Sequence, residues 1–130
     1  MSNPSSMRTP LSKVRGLGSA KSGTEHFWLQ RVTAVANVVL TFAFICILVG
    51  VIGRDYEDAL DYLSRPVVAA MLTLFVISGI IHMRLGMQVI IEDYVHGEGA
   101  KVAALILNTF FCVAVGAVSL IAILKLAVGA

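Results

Sequence analysis

Residues 66–95 read "PVVAAMLTLFVISGIIHMRLGMQVIIEDYV", and the reading of this stretch decides the fold. Of the 26 residues between Arg65 and Glu92, only His82 and Arg84 break an apolar run. A helix needs about 20 apolar residues to cross ~30 Å of hydrocarbon. The stretch therefore reads as a membrane span. Pro66 suits its first turn, where a missing N–H costs nothing. Gly97 and Gly99, just past "DYVH", are placed to end it.

Two further windows repeat the signal. Val32 to Gly53 gives 22 residues without a charge, and Val102 to Leu124 gives 23. Over the whole 130-residue chain, 58% of residues are hydrophobic and 14% charged. Soluble domains carry about 25% charged residues, so too few polar side chains remain to cover a water-facing surface. The sequence predicts an all-α integral membrane chain with three transmembrane helices, about 31–53, 66–93 and 101–125. They form one anchor domain over 24–130, behind a flexible tail over 1–23. The tail is basic and Ser-bearing and cannot bury a core. It lacks the apolar segment of a secretory signal. Thr24 is placed to cap the first long helix, and Phe27 and Trp28 suit an interfacial aromatic belt.

Only the stretch "RDYEDALDYLSR" (54–65) and the turn "HGEGA" lie between spans. Neither can house a soluble active site, so no catalytic residue is assigned to this chain, and any chemistry occurs in the membrane or with a partner. The first 31 residues hold Arg8, Lys13, Arg15, Lys21 and Arg31 against Glu25, whereas the first inter-span loop carries Asp55, Glu57, Asp58 and Asp61. Basic residues near span ends stay on the cytoplasmic side. This places the N-terminus and "EDYVHGEGAK" inside, and the acidic loop and C-terminus outside. Cys46 and Cys112 fall in mid-span with no Cys/His spacing, and read as small apolar side chains.

Inside the middle span the polar residues form a pattern. At 100° per residue, positions 11 apart differ by ~20°, so His82 and Asp93 share a face ~16 Å apart along the axis. Phe75, Ser78 and Val89 lie on the same stripe, with Gly79 and Gly86 slightly off it. Small residues beside His82 let something flat approach the backbone, with Ser78 as a donor. Three accounts of His82 stand side by side: a histidine hydrogen-bonded to a neighbouring helix, a proton relay, or an axial ligand to haem. Neither His26 nor His96 shares its depth, so a metal site built wholly from this chain is not expected. Arg84 projects about 200° from His82 and must find protein, a cofactor carboxylate or headgroups. Arg31 is either a positive-inside anchor or a partner for a propionate or quinone carbonyl. Asp93 and Tyr94 suit a solvated helix end and an aromatic belt. Equally, a phenol O–H beside a carboxylate can hydrogen-bond a quinone and pass it protons.

"HMRLGMQVIIEDYV" (82–95) resembles the second-span motif of the succinate dehydrogenase hydrophobic membrane anchor family, the D-type small subunit of respiratory complex II. His82, Gly86, Asp93 and Tyr94 match that motif in identity and spacing. Arg31-Val32-Thr33-Ala34 is similar to its Arg-x-Thr-Ala element. The resemblance covers roughly residues 14–124 and looks most like the alphaproteobacterial and mitochondrial branch. It implies that His82 is one axial ligand of haem b, the other coming from a cytochrome b-type subunit. Tyr94 would hydrogen-bond ubiquinone with Asp93 in the proton path, and Arg31 and Ser78 are candidates for the haem propionate or quinone pocket. FAD and iron–sulfur clusters would reside only in a flavoprotein and an iron–sulfur subunit, completing a heterotetramer of the respiratory chain and tricarboxylic acid cycle. The implied location is the bacterial inner membrane, with the mitochondrial inner membrane second; nucleic acid is not an expected partner. Arg84 receives no role. The alternatives are a fumarate reductase anchor and a non-redox transporter or scaffold subunit.

Overall fold

The computed structural model describes residues 9–15 and 23–128. Five helices occur among them: α1 (Pro10–Val14), α2 (Gly23–Val51), α3 (Tyr56–Ser64), α4 (Pro66–Tyr94) and α5 (Glu98–Val128). All but α1 and α3 are long and apolar enough to cross a membrane. The chain is a multi-pass membrane protein of all-α class. In hydrocarbon every backbone N–H and C=O must be satisfied within the segment, so an apolar run of this length has no alternative to helix. The tail expected over 1–23 falls largely outside the described residues; its described part includes the single turn α1.

The helix ends refine the sequence reading. α2 begins at Gly23, so Thr24 lies in its first turn instead of preceding it. Gly53 turns the chain out of α2 with φ +79°, a conformation that glycine adopts without steric cost. The segment "RDYEDALDYLSR", read from sequence as a loop, is mostly the helix α3. Its charged residues Glu57, Asp58 and Asp61 are exposed, while Leu60, Tyr62 and Leu63 are half-buried. Arg65 joins α3 to α4 at φ −56°, ψ 131°, the extended geometry that a following proline imposes. Pro66 then opens α4 as expected. At the other end α4 stops at Tyr94, where the Val95 N–H still reaches the Ile91 carbonyl at 3.0 Å. Gly97 lies in the link, whereas Gly99 falls in the first turn of α5 and does not terminate α4.

α4 is the middle helix, with α2 and α5 packed against it. Phe44 of α2 stacks on Phe75 of α4 with centroids 4.7 Å apart. On the α5 side, Asn108 donates to the Arg84 carbonyl at 3.0 Å and Lys101 to the Glu92 carbonyl at 2.8 Å. Both pairings are antiparallel. Among the described residues the buried apolar side chains are few: Ile47, Ala69, Leu85, Ile91 and Cys112. Valines, isoleucines and phenylalanines cover the outside instead. Such a surface fits lipid or other membrane helices. Association in a bilayer rests on close packing and interhelical hydrogen bonds, since lipid tails are as apolar as leucine.

Candidate functional site

α4 has 29 residues and is ~43 Å long at 1.5 Å per residue, longer than the ~30 Å hydrocarbon layer. With the excess divided between its ends, His82 falls close to mid-membrane, and Asp93 and Tyr94 reach the interface. The stripe read from the sequence is the face that α4 turns to α2. Phe75 meets Phe44, and Ser78 donates a long 3.5 Å hydrogen bond to the Thr33 carbonyl. His82 Nδ1 lies 3.1 Å from Thr33 Oγ1. At Gly86, an added Cβ would stand 3.4 Å from Gln30 Nε2. Gly79 has nothing within 4 Å of that position.

A cavity of about 470 Å³ opens along this seam, lined among the described residues by α2 and α4. His82 is on its wall, with Arg31, His26 and Gln30 as the other polar groups and Phe27, Ala34, Leu85 and Val89 as the apolar ones. The Arg31 guanidinium lies 4.5 Å from the Phe27 ring centroid, a favourable cation–π placement. Gln30 Oε1 is buried without a hydrogen-bond partner among the described residues. A buried orphan acceptor is costly, and Asn37 Oδ1, which does not line the cavity, is a second one. His26 stands seven residues before Thr33, the residue facing His82, and so ~10 Å away along the axis. The two histidines share a cavity but not a depth. Among the described residues no cluster of three or more His, Cys, Asp or Glu could hold a metal ion.

The structure brings His82 and Arg31 together in one cavity. Ser78 is directed at the Thr33 carbonyl and does not line it. Asp93 and Tyr94 are exposed at the end of α4, with Tyr94 76% accessible, so any pocket around them needs surfaces from elsewhere. Arg84 is also exposed. Thr33, Gln30 and His26 went unassigned in the sequence reading. The signal available for Thr33 was a hydroxyl within a charge-free span.

The cavity suits a flat, largely apolar, metal-centred macrocycle with anionic edges. Imidazole supplies one ligand to a metal, the aliphatic and aromatic walls accept the ring, and Arg31 matches a carboxylate. By the chemistry of its donors the cavity fits haem.

Comparison with known proteins assigns the chain to a family. Residues 5–116 match the model of a family described as "Succinate dehydrogenase/Fumarate reductase transmembrane subunit". The chain belongs to the succinate dehydrogenase/fumarate reductase transmembrane subunit family. It is 40% identical over 122 residues to the succinate dehydrogenase hydrophobic membrane anchor subunit of Paracoccus denitrificans, covering 94% of each chain. It is 36% identical over 88 residues to the subunit of the same name from Rickettsia bellii (strain RML369-C), covering 68% of this chain and 70% of that one. A succinate dehydrogenase membrane anchor subunit of Reclinomonas americana is 37% identical over 92 residues, 67% of this chain and 75% of that one. No solved structure matches. The resemblance carried by residues 82–95 thus extends over most of this transmembrane subunit, and family membership sets aside an unrelated transporter.

Proposed function

We propose that this chain anchors a succinate dehydrogenase in the bacterial inner membrane, holds one axial ligand of haem b and forms part of the ubiquinone-reduction site. The cavity between α2 and α4, with His82 and Arg31 on its wall, carries this reading. The relatives' names favour succinate oxidation over the fumarate reductase alternative.

Each residue's part follows from its chemistry. His82 offers a neutral imidazole nitrogen to iron, and Arg31 offers a fork of N–H donors to a propionate carboxylate. Bound there, haem b would supply a one-electron redox centre. A partner cytochrome b-type subunit would bring the second axial ligand and close the open side of the cavity. Tyr94 donates its O–H to a quinone carbonyl, and Asp93 beside it relays protons from water. Ubiquinone takes two electrons and two protons to become the quinol. A site at the end of α4 lets those protons arrive from the aqueous side while the isoprenoid tail stays in lipid. FAD and iron–sulfur clusters, held by a flavoprotein and an iron–sulfur subunit, would supply the electrons from succinate. The basic N-terminal segment supports a cytoplasmic N-terminus, which puts Asp93 and Tyr94 on the cytoplasmic side and the C-terminus in the periplasm.

The test is an absorption spectrum of the complex purified with its partners. His82→Ala should abolish or strongly shift a b-type band that the unaltered complex shows. A wild-type band in that variant would remove His82 from the iron. For the quinone site, Tyr94→Phe should reduce quinone-linked turnover by about 10-fold or more, within the usual contribution of a proton donor, while succinate oxidation by an artificial dye stays close to normal. Equal loss of both activities would show an assembly defect instead.

A further inference from the structure

Among the described residues Thr33 is the one polar residue buried as a whole, 6% exposed, and it meets α4 across the α2/α4 seam. Its Oγ1 has three neighbours: the Leu29 carbonyl at 2.7 Å, the Gln30 carbonyl at 3.1 Å and His82 Nδ1 at 3.1 Å. A hydroxyl carries one proton and two lone pairs, and a carbonyl oxygen can only accept. If the proton pointed at His82, Oγ1 would face two carbonyl oxygens with nothing between them. The proton therefore goes to the Leu29 carbonyl, the shortest of the three contacts. Oγ1 can then meet His82 Nδ1 only as an acceptor. Nδ1 must carry a ring proton, so a ring able to bind metal keeps its lone pair on Nε2, the nitrogen with no hydrogen-bond partner among the described residues. This tautomer is assigned from the network around it.

The post is also stiff. Threonine is branched at Cβ, and in a helix its Oγ1 settles in the rotamers that bond the i−3 or i−4 carbonyl. Ser78, one turn from His82, reaches the Thr33 carbonyl at 3.5 Å. α4 thus touches Thr33 through both its side chain and its backbone. Metal-bound histidines generally donate the remote ring N–H to such a partner, which orients the ring and raises its basicity.

We infer that Thr33 is a positioning residue: its hydroxyl holds the His82 ring in the Nδ1–H tautomer, keeps the Nε2 lone pair available as a metal ligand and strengthens that ligand. This rests on the haem-ligand reading above. A ring whose N–H is accepted by oxygen donates more electron density, which favours ferric iron; removing the acceptor should favour ferrous iron.

The experiment uses the complete complex purified from membranes, with Thr33→Val, Thr33→Cys and Thr33→Ser introduced in this chain. Haem per complex, the reduced-minus-oxidised spectrum and the midpoint potential are measured. Loss of an outer partner of a ligating histidine weakens metal binding about 10–100-fold. Thr33→Val should hold haem about 10-fold more weakly and shift the ferrous/ferric ratio about 10-fold toward ferrous, ~59 mV upward for a one-electron couple. Thr33→Ser should restore both. Thr33→Cys, similar in size with a weaker acceptor, should fall between them, and it decides the matter if the valine variant does not assemble. Wild-type haem content, spectrum and potential in the valine variant, or in the cysteine variant where valine fails, would overturn the inference. His82→Ala separates the two readings. If it keeps the wild-type band, the ligand assignment falls and Thr33 with it; if it loses the band while Thr33→Val stays unchanged, only the role of Thr33 is lost.

Discussion

Along the α4/α5 seam, an added Cβ on Gly116 would stand 2.8 Å from Ile80 Cδ1, and Cys112 is 1% exposed. Along the α2/α4 seam the same central helix meets a cavity of about 470 Å³, a buried hydroxyl and an orphaned amide oxygen. One side of α4 is closed by small residues and methyl groups. The other also packs, through Phe44 on Phe75 and Thr33 on His82, but leaves a cavity bordered by polar side chains. Packing in a bilayer has no hydrophobic driving force to squeeze such a gap shut. Such a gap therefore persists unless packing or hydrogen bonds close it, and the polar groups on its wall are what distinguish it from a space for lipid.

The largest effect that would break this contrast is expected at the closed seam. Gly116→Leu forces a branched side chain into the space of Ile80, and overpacking of this kind costs about 1–3 kcal/mol. Thermal dissociation of the purified complex should move clearly downward. Gly116→Ala should be milder, because the atom it meets is the free end of the Ile80 side chain and can rotate away. The b-type band per assembled complex should stay as it was in both, since α5 contributes nothing to the cavity wall. A leucine variant as stable as the original would show that the α4/α5 seam is not closed by packing.

Much of this was legible before any coordinates. The charge-free windows near 32–53 and 102–124, and the one broken by His82 and Arg84, led to three spans because a backbone in hydrocarbon has little choice but helix. The His82 stripe followed from helical periodicity alone, and it does face a neighbouring helix. α3 was not legible as such: four acids within "RDYEDALDYLSR" looked like a loop, although Leu60, Tyr62 and Leu63 carry the apolar half of a short helix. Nor were Gly99 and the cavity. Whether Arg31 and His82 converge depends on the register between helices whose residues are some 50 positions apart, and nothing local encodes it. Thr33 was hidden for a different reason. A threonine hydroxyl inside a helix usually bonds back to its own turn, and here it does that while also serving His82.

The smallest effect distinguishes the two polar contacts that α4 makes with Thr33. Ser78 reaches the Thr33 carbonyl at 3.5 Å, the outer limit of a hydrogen bond. The His82–Thr33 contact is 3.1 Å long and engages the buried hydroxyl itself. Interhelical hydrogen bonds in membranes average about 0.6 kcal/mol, so Ser78→Ala should destabilise the complex by about that amount or less in thermal dissociation. A larger loss, comparable to that of Gly116→Leu, would mean that the backbone contact and not the imidazole sets the register of α2 on α4. The open seam would then owe its shape to Ser78, and the His82 ring would merely occupy a space already defined.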